Sequence, residues 1–188
     1  MSKTAASYPQ TGTAQTLRLV KMSSMVAISI VLVYLIHFPI FPAVAFLEYD
    51  PADISILIGT FAFGPAAGVL LTLVTSVIQG VTVSAGSGLY GIIMHLLATG
   101  TLVVISGSVY HIRKTRTSAV IGLVLGMMGM AVVMLGANLI ITPLFMGVSR
   151  EMVWDLMPFI VGFNLIKAGI NGAVTFLLYK RISGFLKK

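Results

Sequence analysis

The sequence predicts an all-α membrane protein with six crossing helices and both termini on the cytoplasmic side. Two observations carry that reading. First, 57% of the 188 residues are hydrophobic and only 9% are charged, and the mean hydropathy is +1.03, far outside the soluble range. Second, the charges are sorted by sign. Lys3, Arg18, Lys21, Arg113, Lys114, Arg116, Lys180, Arg181, Lys187 and Lys188 lie at the termini or in one central loop. Glu48, Asp50, Asp53, Glu151 and Asp155 lie in or beside two other loops. Lysine and arginine accumulate on the cytoplasmic side of membrane proteins, so this sorting orients the chain. Two cations fall outside that sorting: Arg150, within the second acidic loop, and Lys167, deep inside an apolar run.

The length suits a single bundle over residues 17–188, preceded by a Ser/Thr-rich polar stretch, 1–16, that reads as a mobile cytoplasmic tail. The net charge of +7 flanks apolar runs, which points to anionic lipid headgroups and away from nucleic acid. With no cysteine, disulfides, thiolate catalysis and cysteine-ligated metals are excluded. Arg18, Lys21 and Ala43-Val44-Ala45 imitate a cleavable leader, but the apolar run between them is longer than an ordinary leader core. The first span is therefore read as retained.

That span covers 19–37 and stops before Pro39, because proline disfavours helix in the residue before it. Residues 38–49 are apolar but carry Pro39 and Pro42, and read as an ordered loop. Asp50-Pro51-Ala52-Asp53 opens the second helix: Asp50 as cap, Pro51 in the first turn, Asp53 at the positive dipole end. Phe63-Gly64-Pro65 ends it after about 13 residues, short for a bilayer crossing. Charge arithmetic makes it a span all the same. Both termini and the 111–117 loop are basic, so an even number of crossings must join each pair. Spans three to six follow at 66–83, 89–110, 119–142 and from Met157 or Pro158 to Tyr179-Lys180-Arg181, with Pro143 stopping the fifth. Trp154 and Tyr49 outside, and Tyr110 and Tyr179 inside, suit interfacial aromatic belts.

Chemistry concentrates on the sixth span. Asn164, Lys167 and Asn171 follow i, i+3, i+7 and share one helix face. An ammonium at mid-bilayer costs about 3 kcal/mol on insertion scales. No acid is expected within the membrane, so the partners of Lys167 are expected to be amide oxygens, carbonyls, water or a ligand. Asn138 on the fifth span is a second buried amide, offering donor and acceptor together. Tyr90, Met94 and His95 on the fourth span are candidates for the same cavity, although an isolated histidine more often packs with a satisfied ring. Gly64-x-x-x-Gly68 and Gly122-x-x-x-Gly126 permit close helix contact. The chain has no phosphate-binding loop, no H-E-x-x-H and no carboxylate pair within a span. It reads as a binder that borrows its energy, with a stand-alone carrier or channel for a small polar solute as the alternative and a membrane enzyme or scaffold as a third.

Asp50-Pro51-Ala52-Asp53-Ile54, Leu57-Ile58-Gly59, Phe61-Ala62-Phe63-Gly64-Pro65, Phe163-Asn164-Leu165-Ile166-Lys167, Ile170-Asn171 and Tyr179-Lys180-Arg181 together resemble riboflavin-specific substrate-binding (S) components of energy-coupling factor transporters. Gly162 departs from the proline expected before Phe163. The resemblance implies a compact six-helix S component, without enzymatic activity or cofactor, in the bacterial cytoplasmic membrane. Its partners are riboflavin as transported ligand, a transmembrane coupling subunit and two cytoplasmic ATPases. It also implies a ligand cover over residues 43–49, here Phe46, Leu47 and Glu48, and ligand contacts from Asn138, Asn164 and Lys167; the helix positions read above add Tyr90, Met94 and Asn171. Ser23 and Ala27 on the first helix would face the coupling subunit, serine standing where alanine is usual.

Overall fold

In the computed structural model, which describes residues 10–187, nearly every residue is helical. The elements are α1 (Gln10–Leu35), β1 (Phe38–Pro39), a 3-10 turn (Pro42–Val44), β2 (Glu48–Tyr49), α2 (Ala52–Phe63), α3 (Pro65–Val81), α4 (Gly88–Arg113), α5 (Arg116–Met146), α6 (Arg150–Asp155) and α7 (Met157–Lys187). Among the described residues, four helices are long and apolar enough to cross a bilayer: α1 over Ala14–Leu35, α4, α5, and α7 over Met157–Tyr179. α2 and α3 are shorter apolar helices.

The short α2 is the centre of the bundle. It packs on α1, α3, α4 and α7, and nine of its residues are buried. A helix apolar on all sides is stable only when surrounded, and α2 is surrounded. Gly64 adopts φ +104, a conformation costly for any residue with a Cβ, and this lets α3 fold back along α2. Thr60 then meets Gly68, and Gly59 meets Leu71, so the two helices run antiparallel. Gly64 thus serves the turn and not a small-residue contact face. The second glycine pair behaves as expected. A Cβ on Gly122 would lie 2.8 Å from the Ser106 carbonyl oxygen, and one on Gly126 would lie 3.0 Å from that of Leu102. Those glycines let α5 lie against the α4 backbone.

The structure redraws several sequence-derived boundaries. α1 begins at Gln10, inside the stretch read as tail, while Met1–Pro9 lie outside the described residues. Pro143 does not end the fifth helix, which runs one turn further to Met146. It ends at Gly147, in the left-handed region at φ 67, whose N–H donates to the Pro143 carbonyl at 2.9 Å. Proline removes one backbone donor but its φ suits a helix, and membrane helices tolerate it where neighbours re-satisfy the backbone. The acidic loop after it contains the short helix α6, capped by Ser149. The aromatic belts fail for three of four residues. Trp154 is exposed, but Tyr49, Tyr110 and Tyr179 are buried, because their hydroxyls find partners inside: Asn171, Tyr179 and the Phe61 carbonyl.

The connection 38–49 is ordered, as its prolines suggest. β1 pairs antiparallel with β2, setting Phe38 opposite Tyr49 and Pro39 opposite Glu48. Val44 packs with Val153, Met157 and Ile160 in a second apolar cluster joined by Phe41, Phe46 and Leu47. That cluster clamps the loop onto α6 and the start of α7, directly over the site described next.

Candidate functional site

Asp50 sits at the junction of loop and helix, and its two carboxylate oxygens do different work. Oδ1 accepts the Ala52 N–H at 3.1 Å, capping the first turn of α2. Oδ2 accepts Lys167 Nζ from α7 at 2.7 Å. Lys167 is therefore paired with an acid, contrary to the expectation that none would reach it. Asp50 was read only as a cap; the fold of the 38–49 connection carries it inward against α7, where it is 3% exposed.

Asp53, one helical turn on, is wholly buried. Its Oδ1 accepts from Thr99 Oγ1 at 2.7 Å and faces His95 Nε2 at 3.4 Å, and its Oδ2 accepts from Asn171 Nδ2 at 3.2 Å. Asn171 also donates to the Asp50 carbonyl at 3.0 Å and accepts from Tyr49 Oη at 2.9 Å. Burial, and then the Asp50 carboxylate, push the Tyr49 phenol above its ordinary value, so at neutral pH it stays a donor. One network thus ties β2, α2, α4 and α7 together, with Asn171 at its hub.

Above this network lies a cavity of about 130 Å³. Its wall brings together Phe46, Leu47 and Glu48 from the connection, Met94 and His95 from α4, and Asn164 and Lys167 from α7. Six of the nine sequence-predicted ligand residues therefore share it: Phe46, Leu47, Glu48, Met94, Asn164 and Lys167. The other three do not line it. Asn171 is occupied in the network beneath. Tyr90 packs at a tilt against Phe145 with ring centroids 5.4 Å apart and lines a smaller adjoining cleft with Phe46, Leu47 and Met94. Asn138 is fully buried, with Nδ2 donating to the Met134 carbonyl and Oδ1 accepting from Thr142 Oγ1, both within α5.

The polar groups facing the cavity are unevenly satisfied. Asn164 Nδ2 donates to the Ile160 carbonyl at 2.8 Å, which leaves its Oδ1 as a free acceptor. Lys167 carries three N–H bonds and gives one to Asp50, so two remain for another acceptor. Gln79, at the end of α3, lines the same wall, and its buried Oε1 has no hydrogen-bond partner among the described residues. An unpaired buried acceptor costs about 1–3 kcal/mol, so this oxygen is poised for a donor. Sequence reading missed Gln79, although Thr72, Thr75, Ser76 and Gln79 at i, i+3, i+4, i+7 trace a polar face on α3, and all four are buried. Chemically, the site offers apolar plates from loop and helix, an amide acceptor, an ammonium donor with its counter-charge in place, and a second amide acceptor.

Residues 17–179 match the family described as ECF transporter, substrate-specific component. The chain is 29% identical over 181 residues to the riboflavin transporter RibU of Staphylococcus aureus (strain TCH60), covering 93% of this chain and 94% of that protein. It also superposes on a solved S component of a bacterial ECF transporter with a TM-score of 0.80 at 29% identity, covering 93% of this chain and 99% of the other. The chain belongs to the family of substrate-specific components of ECF transporters and is accordingly a multi-pass membrane transport protein, not an enzyme.

Proposed function

We propose that this chain captures riboflavin at the end of the bundle covered by the 38–49 connection and serves its uptake through an ECF module. The observation that carries the reading is the convergence of Asn164 and Lys167 with Phe46, Leu47 and Glu48 on one cavity. The 29% identity to a riboflavin transporter over nearly the whole chain supports it. An isoalloxazine ring presents a flat apolar face and an imide edge alternating acceptor, donor, acceptor. The free Asn164 Oδ1 accepts the imide N–H, Lys167 donates to a ring carbonyl, and Phe46, Leu47 and Met94 cover the faces. The ribityl hydroxyls are donors for Gln79 Oε1 and Glu48. A phosphorylated flavin would demand more positive charge than one already paired lysine.

At about 130 Å³ the cavity is below the roughly 300 Å³ at which small-molecule sites begin, so the ring system must widen it. Widening requires two elements that border the cavity to yield: the clamped 38–49 connection, and the Asp50–Lys167 pair that the ligand's carbonyl competes with. Asn138 reaches a ligand only by giving up its bonds within α5, so its substitution affects binding less than that of Asn164.

The membrane arrangement follows the charge rule, with six crossings, α2 and α3 as the short ones, and both termini cytoplasmic. Arg18 Nη2 donates to the Phe63 carbonyl at 3.2 Å, which brings the α2–α3 turn to the basic end of α1 and supports two crossings there. Ser23 and Ala27 are exposed on α1, and Ser23 borders a shallow apolar groove against α3. This face is the one for a transmembrane coupling subunit, which links the chain to two cytoplasmic ATPases.

Riboflavin titration of the purified chain, followed by flavin fluorescence, tests the reading. Saturation near one flavin per chain is expected, with weakened binding for Asn164→Ala. A protein that leaves flavin fluorescence unchanged overturns it. Riboflavin transport by the chain alone in liposomes, without ATPases, would replace it with a stand-alone carrier.

A further inference from the structure

We infer that the seam between α5 and α7 at the basic end of the bundle holds one anionic phospholipid, its headgroup against Lys114 and Arg116 and an acyl chain along α7. Two cavities lie next to each other there, with one ring between them. The first, about 250 Å³, opens at the turn between α4 and α5 and is bordered by Lys114, Thr115 and Arg116. The second, about 270 Å³, continues along α5 and α7 and is lined only by apolar side chains and glycine, among them Leu123, Met127, Gly169 and Gly172. Phe176 borders both. A charged chamber next to an apolar track, with the Phe176 ring between them, suits an amphiphile better than a soluble anion.

The charge of the chamber calls for an outside partner. Lys114 and Arg116 are exposed, and neither side chain has an ion pair or hydrogen bond among the described residues. All five acidic side chains lie in or beside the other two loops, so none of them belongs to this end. The inner wall needs no further partner, because Tyr110 Oη donates to Tyr179 Oη and Tyr179 Oη donates to the Phe61 carbonyl, each at 3.2 Å. The first turn of α5 adds its positive dipole end beside the two cations. The track is left open by side chains that are missing. A Cβ on Gly172 would lie 3.5 Å from Leu123 Cδ2, and one on Gly169 would lie 3.8 Å from Met127 Sδ, both ordinary contacts. Packing of α5 on α7 therefore does not demand glycine at either position, and the bare backbone leaves room for a methylene chain. A basic pocket between membrane helices, backed by an apolar groove, is how proteins select an anionic lipid from the bulk.

The test is competition on the full chain in neutral detergent, with equimolar phosphatidylglycerol and phosphatidylcholine, read by native mass spectrometry. Two cations near one headgroup predict retention of a single phosphatidylglycerol with a preference on the order of thirtyfold. The Lys114→Gln/Arg116→Gln variant should bring the preference close to one. Gly169→Leu, which alters no charge, should expel the same lipid by filling the track. Arg113→Gln/Arg181→Gln removes equal charge from exposed positions outside both cavities and should keep the preference; thermal melts verify that each variant is folded. Equal retention of the two lipids by the unaltered chain would overturn the inference, as would equal loss in the Arg113/Arg181 variant, which would mean general charge attraction. Displacement of the lipid by inorganic phosphate alone would overturn it too, leaving a headgroup site that does not read the acyl chain.

Discussion

The two ends of this bundle handle charge in opposite ways. Under the 38–49 connection, Asp50, Asp53 and Lys167 are buried and every charge is answered from within, by Ala52, Lys167, Thr99, His95 or Asn171. At the far end Arg113, Lys114 and Arg116 stand exposed, without an acid beside them among the described residues. Charges that face the environment are screened and contribute little to stability. Buried ones must be paired, and removing one partner strands the other. The buried end therefore holds the structure together and shapes the candidate site, while the exposed end contributes chiefly to what the protein meets outside itself.

Substitutions should separate the two ends by size of effect. The largest change is expected from Lys167→Ala, which strands the Asp50 carboxylate: a loss of about 3–5 kcal/mol in thermal or denaturant unfolding. It should also weaken riboflavin binding on the order of tenfold to a hundredfold, through a lost charge-assisted hydrogen bond. The Asp50→Leu/Lys167→Met double variant sharpens the point, since it should recover most of the stability and none of the binding. Unchanged stability in Lys167→Ala would mean that the pair is not what holds α7 to the connection.

Asp53→Asn comes next, at about 2 kcal/mol, because it weakens charge-assisted bonds from Thr99 and Asn171 and sets one amide donor against another. Its unfolding midpoint should fall without the polar cavity wall changing composition. Tyr49→Phe removes a single neutral donor to Asn171 and should cost about 1 kcal/mol. The same variant carries a pH signature. The folded phenol titrates above its ordinary value of 10.0, so its contribution is complete below that pH and is lost as pH rises past it. Stability should thus decline less steeply above pH 10 in Tyr49→Phe than in the unaltered chain.

The smallest effects belong to the exposed end. Arg113→Gln should move the melting free energy by no more than about 0.5 kcal/mol in neutral detergent. Lys114 caps α4 in the left-handed region at φ 51, so Lys114→Gly should stabilise the chain by up to about 1 kcal/mol while removing a cation. A large loss at either position would erase the contrast between the ends.

Much of the site was legible where chemistry and helix period coincide. Asn164 and Lys167 announce themselves as polar groups in an apolar run, and both line the cavity. Asn138 is equally conspicuous but turns its amide back on α5, because sequence spacing gives a face and not a rotamer. Asp50 was legible as a helix cap, and its Oδ1 is one; that its Oδ2 reaches across 117 positions to Lys167 was not. Gln79 was overlooked because a glutamine near a helix end is unremarkable until the chain folds over it.

By itself the sequence determined the helical membrane character, the sorting of charge to two ends, the turn at Gly64 and the ordered connection after α1. Each of those depends on local composition: apolar length, the fixed φ of proline, the freedom of glycine, the cost of moving a charge through lipid. Only the tertiary structure decided that α2 is the central post, that Pro143 lies within a continuing helix, and that Lys167 has a carboxylate partner. These depend on which distant surfaces meet. A buried charge is tolerable only beside its opposite, and packing alone selects which opposite that is.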